Sequence, residues 1–193
     1  MKDIKLEVKE PAIHLSGEYV FTKARIETVQ QRELYDKIEE RRASGEDYIG
    51  LVRELNALCE TEVLRVKNTI TTVGLTMVAN NLASVSPTNL MKFSHSALGA
   101  GTTSPTVSDT MLEDEQYRRQ VASVSNNGKI VYVTAFYGAS ETSGLFTEHA
   151  IFSDGSLTEN SGVMFSRVLL NNGSGVNKST SETLTIDYTL TIS

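Results

Sequence analysis

Gly99, Gly101 and Pro105 lie close together near the middle of the chain and limit what can form on either side. Glycine makes non-helical backbone cheap, and proline fixes φ and removes an N–H. No regular element is therefore expected to begin there. The polar run 102–108 reads as a loop. Ser108 or Asp109 can cap one short helical turn anchored by Met111 and Leu112. Glu113, Asp114, Glu115, Arg118 and Arg119 follow as a cluster of opposite charges. An irregular stretch of this length inside a domain needs its own packing or a function. Before it the chain reads mainly as helix, and after it as strands.

Residues 1–9 alternate, with Ile4, Leu6 and Val8 on one face and Lys5, Glu7 and Lys9 on the other. That is the period of a half-buried strand, and Pro11 stops it. A lone strand leaves its backbone unpaired, so this one is expected to join a distant strand or a neighbouring subunit. From residue 23 to 42 the spacing of Ile26, Val29, Leu34 and Ile38 predicts a helix. After Ser44-Gly45, a second helix is predicted over 47–66, with Tyr48, Leu51, Val52, Leu55, Leu58, Cys59 and Leu64 as its stripe. The stripes either pack on each other or dock on another subunit. Thr71 or Thr72 can cap a third helix over 73–83, in which Gly74 permits close approach of another element.

Strands are predicted over 91–98, 117–124, 129–137, 145–152, 163–170 and 183–192. Asn126-Asn127-Gly128 is a hairpin signal, and Gly- and Asn-rich turns separate the later runs. Six such runs suggest an antiparallel sandwich. The expected fold is α+β: an N-terminal strand and helical hairpin, then a C-terminal antiparallel β-sandwich. Residues 1–67 carry 26 charged groups and 68–193 carry 16, by count from the sequence. That shift predicts an N-terminal attachment and oligomerisation region over 1–67 and a helix-led sandwich over 68–193 that folds as a unit.

The net charge of -6 argues against a nucleic-acid binder, which needs a basic face for phosphates. No apolar run reaches the ~20 residues of a membrane span. Acids at the start stand where a signal peptide has an apolar core. The single cysteine, Cys59, excludes an internal disulfide and fits synthesis in a reducing cytoplasm.

No site of reaction stands out. His14, His95 and His149 have no second ligand at metal spacing. His95 alternates with apolar residues and reads as a hydrogen-bonded core residue. Cys59 sits on an apolar stripe and reads as packing. Gly99-Ala100-Gly101-Thr102 lacks the Gly-Lys-Ser/Thr ending of a phosphate loop. Glu113, Asp114 and Glu115 could take a cation, but adjacent carboxylates more often form a solvated face or pair with Arg118 and Arg119. No catalytic residue, cofactor or metal is expected, and the chain is read as a non-enzyme.

One resemblance is specific. Gly99-Ala100-Gly101-Thr102-Thr103-Ser104-Pro105, then Asp109-Thr110-Met111-Leu112, then Glu and Arg, resembles structural proteins of tailed-phage virions, in particular tail-fibre and baseplate components. Residues 68–79 resemble the N-x-h-T-x-x-G-h-x-x-h-A segment that precedes this loop (h is apolar). Residues 144–152, 163–168 and 184–192 resemble the strands that follow, with Arg167 in an h-x-x-R-h pattern. His149-Ala150 stands where the family usually carries a glycine. The likeness covers roughly residues 68–193 and implies a non-enzymatic tail component, made in a bacterial cytoplasm and placed in the virion. It implies a homo-oligomer, with a trimer favoured, and other tail proteins as partners. The alternatives are a receptor- or glycan-binding module at a fibre tip, which exposed Tyr132, Phe136 and Tyr137 would favour, and a head-decoration or head-fibre protein. The candidate assembly interface is Ile4, Leu6, Val8, Leu51, Leu55 and Leu58.

Overall fold

The computed structural model describes residues 14–83 and 92–193. The expected strand over 1–9, with Ile4, Leu6 and Val8, lies outside them. The described chain opens with β1 (Leu15–Arg25), in which Tyr19 and Phe21 point into the core and Glu18 and Thr22 do not. The sequence had been expected to turn helical at 23. Instead the strand runs to Arg25, and the helix α1 (Val29–Ser44) begins behind a Thr28/Gln31 capping box. Gly45, in the left-handed region at φ 75°, ends it.

The second predicted helix is shorter than its stripe suggested. Helix α2 (Ile49–Leu58) stops at Cys59, which is extended, and Glu60–Lys67 forms strand β2. Leu64 and Val66 alternate there toward the core, and Thr61 and Val63 are β-branched. Strand pairing with β1 therefore prevails over a continued helix. A two-residue strand β3 (Thr69–Ile70) leads into helix α3 (Thr72–Ala83). The Gly74 N–H donates to Thr71 Oγ1 at 3.0 Å, closing the start of α3. A Cβ at Gly74 would lie 2.5 Å from the Phe165 carbonyl oxygen, so glycine lets this helix rest on strand backbone.

The remaining strands are β4 (Phe93–Gly99), β5 (Glu115–Gln120), β6 (Ser123–Asn127), β7 (Ile130–Tyr137), β8 (Gly144–Phe146), β9 (Glu148–Ser153), β10 (Val163–Leu169), β11 (Val176–Lys178) and β12 (Glu182–Ile192). All pairings are antiparallel. One sheet has the order β2-β1-β12-β7-β6, a second β3-β10-β9-β4-β5, and β8 pairs with β11 as a short ribbon. The fold is thus mixed α+β, and β-rich.

Two predicted strands are each two strands. The run 117–124 changes sheet at its middle: Val121 N–H donates to Ser94 on the β4 side, and Ala122 N–H to Thr134 of β7. The run 145–152 breaks at Thr147, whose hydroxyl donates to the Gly101 carbonyl at 2.7 Å. The boundary expected near residue 67 does not separate two folding units. Strand β1 pairs with β12 along its whole length, so the first sheet joins both sides of that boundary.

Tyr19, Phe21, Ile186 and Tyr188 of the first sheet share one core with Leu98, Ile151, Phe165 and Val168 of the second. Tyr19 stacks on Tyr188 with ring centroids 4.5 Å apart. Polar bridges cross the same space: Tyr19 OH with Ser166 Oγ at 2.5 Å, and Tyr137 OH with Ser96 Oγ at 2.7 Å. A second cluster, built on Leu34, Ile38, Val52, Leu55 and Phe136, seats α1 and α2 against the outer side of β7.

Candidate functional site

The central loop, 100–114, is organised by two residues far away in sequence. Glu148 begins β9 with its side chain fully buried, and Arg167 lies on the adjoining strand β10. Arg167 Nε donates to Glu148 Oε2 at 2.8 Å, and its Nη2 is also 2.8 Å from that oxygen. Nη1 donates to Asp109 Oδ2 at 2.7 Å, and Nη2 to the Thr103 carbonyl at 3.2 Å. One planar guanidinium thus holds a buried carboxylate, a loop carboxylate and a loop carbonyl, which an ammonium could not do in the same fork.

Glu148 spends its remaining capacity on backbone. Its Oε1 accepts from Gly101 N–H at 3.0 Å and Asp114 N–H at 2.8 Å, and Oε2 from Glu113 N–H. A Cβ at Gly101 would collide with the Glu148 and Glu113 side chains, so glycine lets the loop close on the carboxylate. Glu113 in turn accepts from Thr102 N–H and Thr103 N–H, each at 2.8 Å. Those bonds, the Thr103 N–H first, hold the Glu113 carboxyl below the usual range. Burial works against ionisation of Asp109, but bonds from Thr106 and Arg167 more than offset it and keep that carboxyl low as well. The helical turn expected after Ser108 or Asp109 does not form; Leu112 is buried beneath the loop and Met111 is exposed.

The expected charge pairing is found within β5. Arg118 donates from Nε to Glu115 Oε1 at 2.7 Å, both side chains being about 2% exposed. It also stacks over Phe152, 4.0 Å from the ring centroid. Arg119 instead pairs with Glu141, which also meets Arg42 of α1 at 2.8 Å and so ties the helices to the strands. His95 is buried with its Nδ1 3.0 Å from Ser94 Oγ. His149 is fully buried, its Nε2 2.8 Å from Ser96 Oγ and its Nδ1 without a partner; burial pushes it down to about 3. Lys178 is buried beside three carbonyls, those of Ala139, Thr142 and Ser179, and burial pulls it down to about 8. Among the described residues no group of three or more His, Cys, Asp or Glu side chains is placed to hold a metal.

The described candidate assembly residues, Leu51, Leu55 and Leu58, all lie on α2 but differ in exposure. Leu55 is completely buried inside its own chain, so it offers a partner nothing. Leu51 is partly covered at the rim of the same cluster, and Leu58 is 41% exposed. Ile4, Leu6 and Val8 lie outside the described residues. The aromatic triplet that would have marked a receptor site is not on the surface: Phe136 and Tyr137 are buried, and only Tyr132 is exposed.

Glu148 and Arg167 enter the sequence reading only through the resemblance, as the Glu of an E-h-G-h-F strand and the Arg of the h-x-x-R-h strand. The available signal was a Glu and an Arg, each inside an otherwise apolar strand, since such charges are buried only when paired. No family model, curated protein or solved structure matches the chain.

Proposed function

We propose that this chain is a non-enzymatic structural component of a phage tail, in which the two five-stranded sheets act as the layers of a sandwich. One observation carries the reading. The positions of the virion-like pattern, Gly101, Thr103, Asp109 and Arg167, are the positions that clamp the central loop. Their chemistry is spent on shape: each donor of Arg167 and each oxygen of Glu148 engages another part of the same chain. A loop fixed this firmly suits a repeated contact in an assembly, where each copy must present the same surface. We further propose that the chain acts as a homo-oligomer, a trimer being favoured, beside other tail proteins in the virion.

Particle imaging tests this. Purified particles from the producing host should contain the chain by mass spectrometry. Their tail density should hold both sheets at a symmetry-repeated position. Particles that lack the chain, or that carry it only on the head, would overturn the tail assignment.

A further inference from the structure

Helix α3 has no charged residue, yet one side faces outward. Leu75 is 45% exposed and Leu82 83% exposed; they are seven positions apart, with Ala79 between them on the same stripe. The stripe runs into a groove of about 460 Å³ whose walls include Leu15, Ile70, Leu75 and Val107, the last 60% exposed. The groove opens where the sheets part. Strand β2 pairs with β1 as far as Lys67, opposite Glu18, and β3 stands at the end of its sheet, its outer edge bonded at Asn68 N–H to Gly17 and at Thr72 N–H to Val107. Apolar side chains thus border one opening, which suits the apolar face of an alternating segment.

We propose that residues 1–13 of a second copy occupy this groove, with Ile4, Leu6 and Val8 against the apolar wall. This rests on the homo-oligomer reading and names its contact. The chain's own residues 1–13 begin beside the groove, since His14 and Leu15 line it. Sequence and geometry nevertheless argue against their folding back. His14 exchanges both backbone bonds with Ser193, at 2.7 and 2.9 Å, so it continues the line of β1 past the groove. Pro11 restricts Glu10 to extended backbone. Apart from Pro11, the sequence of residues 10–13 holds no turn-forming type. In a second copy no reversal is needed. Thirteen extended residues reach roughly 40 Å, against about 18 Å for the length of α3. Each copy offers both a segment and a groove, so the contact can repeat from copy to copy, and forms a ring where the rotation closes.

Native mass spectrometry and sedimentation of the full chain, alone and with Leu6→Asp, Leu75→Asp or Leu82→Asp, test the contact. Each variant should weaken association at least tenfold while circular dichroism stays unchanged; Leu82→Asp, at the most exposed position, guards against misfolding. Mixing Leu6→Asp with Leu75→Asp chains should give mixed dimers, but no larger rings, because one chain supplies a sound groove and the other a sound segment for a single contact. An oligomer unaffected by Leu75→Asp and Leu82→Asp would overturn the groove and leave the assembly reading standing. A wild-type chain that stays monomeric would overturn both. In a cysteine-free Cys59→Ser background, a disulfide between Leu6→Cys and Leu75→Cys that forms only within single chains would overturn the exchange between copies.

Discussion

Arg167 and Glu148 meet where neither side chain reaches solvent. A buried pair of this kind adds little net stability when whole, but removing one partner leaves the other charge stranded. Arg167→Met should therefore cost about 3–5 kcal/mol in urea unfolding. It should also speed amide exchange at Gly101 and Asp114, which lean on Glu148. Arg167→Lys should recover only part, since a point charge cannot satisfy Glu148, Asp109 and Thr103 together. A loss below about 1 kcal/mol would show that the loop holds without the clamp.

His149 gives a pH dependence with a definite sign. Its pKa in the folded chain, about 3, lies below the unfolded value of about 6.5. Between those limits the unfolded chain takes up a proton that the folded chain refuses. Stability is therefore unaffected above that window and falls as pH drops through it, by up to about 1.4 kcal/mol per pH unit. Urea midpoints at pH 7 and 4.5 should differ less for His149→Leu than for the wild type. Equal differences would mean that the imidazole titrates normally.

At the scale of elements, the sequence was most readable where a pattern was long and uninterrupted. The closing strand, α3 with its Thr71 cap, and the Asn127-Gly128 hairpin all stand as read. Legibility failed where two periods overlap. Leu15, Gly17, Tyr19 and Phe21 alternate, but Ile26 and Val29 follow at helical spacing, so residues 15–22 go unassigned and the helix is read from 23, inside the strand. Cys59 and Leu64 extended the α2 stripe by coincidence, although Thr61, Val63 and Val66 favour strand. The clamp was illegible for another reason: Glu148 and Arg167 become neighbours only through β9–β10 pairing, which no local period encodes. A comparison within α2 separates packing from docking. Leu55→Asp should destabilise the fold by several kcal/mol, because it places an unpaired charge in an apolar cluster. Leu58→Asp should cost much less, because Leu58 is 41% exposed and the introduced carboxylate can stay hydrated. Similar losses from both would show that Leu58 is buried in solution.

For the whole molecule, the first described strand and the last lie side by side. The chain therefore cannot be cut at the compositional boundary. A fragment of residues 68–193 leaves β12 without β1 and takes Tyr19 and Phe21 from the core. It should give no cooperative urea transition, while the full chain gives one; a sharp transition in the fragment would restore a separate C-terminal unit. The same pairing bears on how the protein is made. Leu15 waits for Ile192, a separation that spans nearly all the described chain. Contacts so distant close slowly, because the loop entropy is met before they form. On the ribosome, β1 and the helical hairpin emerge early and stay without their central partner strand until β12 leaves the exit tunnel. Throughout elongation the nascent chain therefore presents an open strand edge. An unpaired edge of this kind is aggregation-prone, so high-level expression from clustered ribosomes should favour aggregates over the folded chain.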